Sequence, residues 1–115
     1  FDKQILSVSS ILKSLLEIER LVRELNPLVK IIYTISPVRH IKDGFVENQQ
    51  SKAHLLTAVH QVLKRNAVSY FPSYELMMDD LRDYRFFKHD MVHPNDLAIN
   101  YVLDEFKRST VVPFF

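Results

Sequence analysis

The sequence predicts a layered α/β domain with a parallel sheet, because helical and strand patterns alternate along the chain. Apolar residues recur at helical spacing over residues 7–26 and form one broad stripe. Two runs rich in β-branched and aromatic residues follow at 29–35 and 68–71, and a proline closes each run within two residues. The first run shows little polar alternation, which is typical of a strand covered on both faces in a parallel sheet.

The residues at the ends of these patterns set the expected boundaries of the first two helices. Asn26 should end the first helix, since Asn tolerates a left-handed capping position and Pro27 cannot continue the helix. Ser51 is the expected N-cap of a second helix that runs to about Asn66. The segment 38–50, which contains the only glycine of the chain, is then expected to be a long loop.

The last third of the chain predicts two further helices. A short helix is expected over residues 74–80, after the second strand. Pro94 suits the first position of a final helix, because proline has the backbone angle of that position and needs no N–H there. The order helix, strand, helix, strand, helix fits parallel strands joined by helical crossovers.

The composition limits the class of protein. A length of 115 residues suits one small domain, and a net charge of +1 with no basic-aromatic stripe gives no reason to expect a nucleic-acid partner. No apolar run approaches the ~20 residues of a membrane span. The absence of Cys excludes disulfides and thiolate metal sites. It slightly favours a cytoplasmic location, although exported bacterial domains often lack Cys and a signal peptide on the parent protein would not be visible in this sequence.

Residues 1–115 are expected to be one incomplete domain, the C-terminal portion of a larger one. The chain begins at Phe1 rather than Met and enters a helical pattern almost at once. Two strands alone would leave two unpaired sheet edges, so further strands are expected upstream. The same edges favour self-association of the isolated segment.

Three segments should meet at the carboxyl ends of the strands, where parallel α/β sheets form their sites. They are residues 36–40 after the first strand, 72–75 after the second, and 90–93 before the last helix. The side chains with catalytic potential in these segments are His40, Glu75, Asp90 and His93.

The motif Asp90-Met-Val-His93-Pro94 is the sharpest local signal in the chain. This spacing can place a carboxylate against one imidazole nitrogen and leave the other nitrogen as a general base. Two other interpretations stand beside it. Asp90 could cap the last helix, or His89, Asp90 and His93 could ligate the metal of a metal-dependent hydrolase.

Two serines are nucleophile candidates, and structural roles are favoured for both. Neither Ser36 nor Ser73 lies in a Gly-x-Ser-x-Gly elbow. Ser36 is also followed by Pro37, which lacks the N–H that an oxyanion hole would use. The charged stretch 79–85 is expected to form local ion pairs or to brace the loop before His93.

Five blocks of the sequence, taken in order and at similar spacing, resemble the GSCFA family of bacterial proteins, which is related to the SGNH/GDSL hydrolases. The resemblance runs from about Leu25 to Phe106. The blocks are Thr34-Ile-Ser-Pro-Val-Arg-His40, Glu47-Asn-Gln-Gln-Ser-Lys-Ala53, Tyr70-Phe-Pro-Ser-Tyr-Glu75, Asp80-Leu-Arg-Asp-Tyr-Arg-Phe86 and Asp90-Met-Val-His-Pro94.

The resemblance implies the C-terminal part of a three-layer αβα, flavodoxin-like fold with a Ser-His-Asp centre. Asp90 and His93 align with the acid and the base of the last SGNH block. The nucleophilic serine and the oxyanion-hole donors are then expected upstream of Phe1. The loop after the first strand would line the pocket, with Ser36, Arg39 and His40 as substrate contacts.

The expected function is therefore that of a serine esterase or acyl-hydrolase acting on a small-molecule or glycan ester, with no cofactor. The isolated chain, which lacks the nucleophile, is expected to be inactive. The main alternative is a non-catalytic α/β binding module, in which the same blocks preserve a binding surface.

Overall fold

The computed structural model describes residues 5–65 and 68–110, which alternate helices with two short strands. The first four elements are α1 (Val8–Leu25), β1 (Ile32–Thr34), α2 (Phe45–Arg65) and β2 (Ser69–Phe71). The later elements are the short helix α3 (Ser73–Glu75), a π-helical turn (Leu76–Asp80) and α4 (Asp96–Thr110). Single 3₁₀ turns lie at Ile41–Asp43 and Tyr84–Phe86. Among the described residues, no helix combines the length and the apolar character needed to cross a membrane.

Strands β1 and β2 pair in a two-stranded parallel sheet, which confirms the mixed α/β class. The Ser69 N–H donates to the Ile31 carbonyl at 3.0 Å. Each strand has three residues, so β1 is shorter than the predicted run 29–35. Ile32 is 42% exposed, which differs from a strand covered on both faces. Side chains alternate between the two faces of a strand, so Ile32 and Thr34 share one face, and that face is exposed.

The described residues form two compact units. The first unit holds residues 5–33, 43–65 and 68–70, and in it α1 packs against α2. Buried apolar residues in this unit are Ile11, Ala58, Val59 and Val62. The second unit holds residues 34–42 and 71–110, and it contains every residue of the predicted site.

Helix α1 confirms the predicted first helix but ends in a different cap. The Ser7 hydroxyl accepts a hydrogen bond from the Ser10 N–H at 3.2 Å, as an N-cap does. Asn26 is the C-cap, yet its φ of −145° is extended rather than left-handed. Its N–H donates to the Val22 carbonyl at 2.9 Å, so the last turn is closed without a left-handed residue.

The prediction that residues 38–50 form a loop is wrong in its second half, because α2 begins at Phe45, six residues before Ser51. Gly44 has a φ of +100°, a conformation that glycine adopts without strain. The Asn48 N–H donates to the Gly44 carbonyl at 2.9 Å and closes the first turn. The predicted end of this helix, Asn66, lies outside the described residues.

The second unit is built on a small apolar core under α4. Met77, Leu81 and Ala98 are buried together, and Met78, Phe86, Phe87 and Val102 pack against them. The predicted helix over residues 74–80 is confirmed, although its second part is π-helical: the Leu81 N–H donates to the Leu76 carbonyl, five residues back, at 2.9 Å.

The last helix begins two residues later than Pro94 predicts. Pro94 lies in an antiparallel bridge with Phe87, and α4 starts at Asp96. The Asn95 side-chain oxygen accepts a hydrogen bond from the Ala98 N–H at 3.0 Å. An asparagine that bonds the third helical N–H is a strong N-cap, and this bond sets the start of the helix.

Candidate active site

A closed turn of residues 88–93, here called the 88–93 turn, carries the predicted acid–base pair. The Lys88 N–H donates to the His93 carbonyl at 2.8 Å, and the Asn95 N–H donates to the Phe86 carbonyl at 2.9 Å. These two bonds close the base of the turn as in a hairpin. The acid and the base therefore sit on one short hydrogen-bonded segment directly before α4.

Both carboxylate oxygens of Asp90 are engaged within the turn. Oδ1 accepts hydrogen bonds from the Val92 N–H at 2.9 Å and from the His93 N–H at 3.0 Å. Oδ2 lies 2.5 Å from Nδ1 of His93. The carboxylate is thus oriented by the backbone, and the imidazole is oriented by the carboxylate.

These contacts keep Asp90 ionised. The backbone N–H of His93, the N–H of Val92 and the His93 imidazole together hold the pKa of the Asp90 carboxyl well below its usual range. Asp90 is therefore an anion at every pH near neutrality. The two side chains are 49% and 56% exposed for Asp90 and His93, so solvent reaches both groups.

This geometry fits a general base. When Nδ1 of His93 donates its proton to the carboxylate, Nε2 carries the lone pair that can accept a proton from a substrate or a nucleophile. The interpretation of Asp90 as a cap of the last helix is wrong, because Asn95 supplies that cap. Asp90 bonds N–H groups of its own turn instead.

Arg39 reaches the 88–93 turn from the loop after β1, across 52 residues of sequence. Its Nη2 donates to the Met91 carbonyl, and its guanidinium carbon lies 5.9 Å from the Tyr84 ring centre and 5.6 Å from the Phe87 ring centre. The sequence predicts Arg39 as a substrate contact. The structure gives it a backbone contact within the site, and substrate binding by Arg39 stays a prediction.

The other residues predicted from the β1 loop lie at the surface. Ser36 is exposed, and its hydroxyl accepts a hydrogen bond from the Val38 N–H at 3.2 Å. His40 is also exposed. Glu75 lies in α3 and is half-buried. The structure brings Asp90, His93 and Arg39 together. It stays a prediction that the four side chains with catalytic potential, which are His40, Glu75, Asp90 and His93, meet at one site.

The second serine candidate is held in a structural role. Ser73 is buried, and its hydroxyl donates to the Ile35 carbonyl at 2.8 Å and lies 2.7 Å from the Thr34 hydroxyl. Thr34 in turn donates to the Phe71 carbonyl at 2.7 Å. A hydroxyl engaged in this way supports the strand ends, in agreement with the role favoured from the sequence.

An open cleft of about 550 Å³ lies beside the turn. This volume is in the range of small-molecule sites. Its wall combines aromatic, apolar and polar side chains: Tyr84, Phe87, Lys88, His89, Met91, Asn95 and Asp96. A second, smaller cleft of about 210 Å³ is lined by Arg39, Met77, Met78, Arg82, Tyr84 and Phe87. Tyr84 and Phe87 line both clefts, whereas Arg39 lines only the smaller one.

No metal cluster forms from the described histidine and carboxylate residues. His89 lines the open cleft, whereas Asp90 and His93 face each other. Adjacent side chains diverge in this turn, so the metal-site interpretation of His89, Asp90 and His93 gains no support from the geometry.

Sequence reasoning missed two residues that shape the site. Met91 has a φ of +60°, a left-handed conformation that is uncommon for a side chain other than Gly, Asn or Asp. Asn95 bonds on both sides of the turn, because its Nδ2 donates to the Arg85 carbonyl at 2.6 Å while its Oδ1 caps α4. An Asn directly after His-Pro and before an apolar helix is a signal that could have indicated the cap.

The fold and the 88–93 turn define an α/β protein with an aspartate–histidine pair immediately before its last helix. A model of the GSCFA family matches residues 1–106. The chain therefore belongs to the GSCFA family, and the resemblance seen in the sequence blocks is confirmed. No curated protein and no solved structure matches the chain significantly.

Proposed function

We propose that this chain supplies the acid and the base of a Ser-His-Asp ester hydrolase of the SGNH kind. The observation that supports this proposal most directly is the 2.5 Å contact between Asp90 Oδ2 and His93 Nδ1. Membership of the GSCFA family supports it too, since the family resembles hydrolases whose last block carries these two residues.

In the proposed reaction, Nε2 of His93 takes the proton of a serine hydroxyl as the oxygen attacks the ester carbonyl. The carboxylate of Asp90 stabilises the imidazolium that forms. His93 then gives the proton to the leaving alcohol, and water repeats the cycle on the acyl-enzyme. The depressed pKa of Asp90 suits this role, because the acid must stay ionised throughout.

The nucleophile is proposed to lie upstream of Phe1. Ser73 is buried in a hydroxyl network, and the Ser36 hydroxyl accepts from a backbone N–H of its own loop. We also propose that the two-stranded sheet is the C-terminal part of a larger parallel sheet in a three-layer αβα, flavodoxin-like domain. Upstream strands would then extend the sheet and carry the nucleophile block.

The open cleft is the proposed place of the ester. Its aromatic and apolar wall suits an acyl chain or the face of a sugar ring, and Lys88, Asn95 and Asp96 offer polar groups for orientation. A small-molecule or glycan ester is therefore the proposed substrate class.

The test is hydrolysis of p-nitrophenyl acyl esters by the full-length protein that contains this chain. Asp90→Asn should lower kcat on the order of 10⁴-fold and His93→Ala on the order of 10⁶-fold, as in other serine triads. His60→Ala is the control, because exposed His60 lies on α2 and outside the residues of the predicted site. It should change kcat little.

Several outcomes would contradict the proposal. Equal loss of kcat in the His60 and His93 variants would contradict the proposed role of His93 as the general base. Robust turnover by purified residues 1–115 would contradict an upstream nucleophile. Absence of hydrolysis by the full-length protein over acetyl, butyryl and longer esters would favour the non-catalytic binding module.

A further inference from the structure

One peptide group in the 88–93 turn is bound at both ends. The carbonyl of Met91 accepts from Nη2 of Arg39, and the N–H of Val92, which belongs to the same peptide group, donates to Asp90 Oδ1 at 2.9 Å. In a trans peptide the C=O and the N–H point in opposite directions. The Arg39 guanidinium therefore binds one edge of the peptide group, and the Asp90 carboxylate binds the opposite edge.

This peptide needs to be held, because its first residue is strained. Met91 adopts a φ of +60°, where its Cβ crowds the backbone. Such a conformation persists when surrounding contacts fix it. Rotation of the Met91–Val92 peptide would turn the Val92 N–H away from Asp90, and the carboxylate would lose one of the two N–H donors that orient it.

Arg39 is itself well seated for this task. Its guanidinium lies near the rings of Tyr84 and Phe87, and its buried Nε has no hydrogen-bond partner among the described residues. Cation–π contact and burial reduce the conformational freedom of the arginine, so the bond to Met91 costs little additional ordering. A charged donor also makes a stronger bond to a carbonyl than a neutral one does.

We propose that Arg39 is a positioning residue: by binding the Met91 carbonyl it fixes the peptide whose N–H orients Asp90, and so aligns the carboxylate with His93. Its effect on catalysis rests on the proposed function, whereas its effect on the Asp90–His93 hydrogen bond does not. Arg39 acts through the turn and need not touch substrate.

The first experiment follows the His93 Nδ1 proton by NMR at low temperature on the full-length protein that contains this chain. Hydrogen bonding to Asp90 moves this proton far downfield, and His93→Gln identifies it by its loss. Arg39→Met keeps an apolar side chain beside the two rings but has no donor, and it should broaden the resonance beyond detection. Arg39→Lys restores a charged donor and should recover part of the signal.

Arg82→Met is the matched control, since exposed Arg82 lines the same small cleft. It should leave the resonance unchanged. Circular dichroism checks that each variant folds. If Arg39→Met does not fold, Arg39→Lys alone carries the test, with a weakened resonance expected. A resonance of wild-type sharpness in a folded Arg39→Met chain, or in Arg39→Lys when that variant stands alone, would overturn the proposal.

The second experiment measures ester hydrolysis by the full-length protein. A misaligned acid–base pair should lower kcat of Arg39→Met on the order of 10- to 100-fold with little change in KM. A raised KM with unchanged kcat would instead make Arg39 a substrate-binding residue and overturn the positioning role. If the protein hydrolyses no ester, the proposed function fails, while the NMR result still decides the role of Arg39.

Discussion

Arg39 and Asp90 bind opposite sides of the same peptide group, the one that joins Met91 to Val92. One residue is a cation from the loop after β1, and the other is the carboxylate of the acid–base pair. This relationship links a distant segment to the orientation of His93 without any direct contact between Arg39 and the imidazole. Three features of this region have effects on stability that can be measured. They are the depressed pKa of Asp90, the strained backbone of Met91 and the cap that Asn95 provides.

Asp90 should make stability depend on pH in the acid range. Its folded-state pKa lies below the ordinary value of 3.8, so the unfolded chain takes up the proton first as pH falls. The stabilisation by Asp90 is therefore present above about pH 4 and declines below it. Urea unfolding between neutral pH and about pH 2 should give a shallower acid decline for Asp90→Asn than for the wild type.

Asp104→Asn, an exposed change on α4, provides the control and should keep the wild-type pH dependence. Parallel acid profiles for the wild type and Asp90→Asn would show that the hydrogen bonds of the 88–93 turn do not lower the pKa of Asp90 in solution.

The left-handed backbone of Met91 should reverse the usual order of two substitutions. Valine resists a φ of +60°, whereas glycine adopts it without strain, so Met91→Val should be less stable than Met91→Gly by about 1–2 kcal/mol. At the exposed helical position Ile99, the same two residues should rank the other way, since glycine weakens a helix more than valine does. Thermal unfolding of the four variants checks both orders. Equal stability of the two Met91 variants would argue against the left-handed turn.

Asn95 should be the residue that secures the start of α4. Asn95→Ala removes the cap on Ala98 and the bond to the Arg85 carbonyl, and we expect a loss of about 1–2 kcal/mol in the free energy of unfolding. Asn100→Ala, at an exposed position inside the same helix, should be neutral or slightly stabilising because alanine favours helix. Denaturant unfolding compares the two, and a neutral Asn95→Ala variant would count against the cap.

Tyr33 should ionise late in an alkaline titration. Burial, together with the neighbouring Glu19 carboxylate, raises the pKa of Tyr33 from 10.0 to about 12. Because the folded pKa is raised, the stability linked to this phenol is present below pH 10.0 and is lost as the pH rises toward about 12. The absorbance of tyrosinate in the wild type should include a late step that Tyr33→Phe removes. Tyr84→Phe, at an exposed tyrosine, should leave that step in place.

The sequence predicted the parts of the fold and site that depend on local spacing. Asp90 and His93 lie three residues apart, so a single turn brings them together, and their pairing could be read from the motif. The first helix was likewise predicted within one residue at each end, because its apolar stripe and its capping Ser7 and Asn26 are continuous in sequence.

The features that the sequence predicted wrongly or did not predict depend on a single backbone angle or on a long-range contact. Gly44 permits a sharp entry into α2 well before Ser51, and a loop pattern alone does not reveal that entry. Pro94 has a backbone angle that suits a helix start but pairs with Phe87 instead. The contact of Arg39 with Met91 spans 52 residues, and sequence spacing does not predict which backbone carbonyl a distant arginine binds.

The two bonds that close the base of the 88–93 turn have a mechanical consequence. These bonds place the Asp90 carboxylate and the His93 imidazole on one closed segment of six residues. A shift of this segment relative to the loop after β1 would break the bond between Arg39 and the Met91 carbonyl, and the peptide whose N–H orients Asp90 would lose that support.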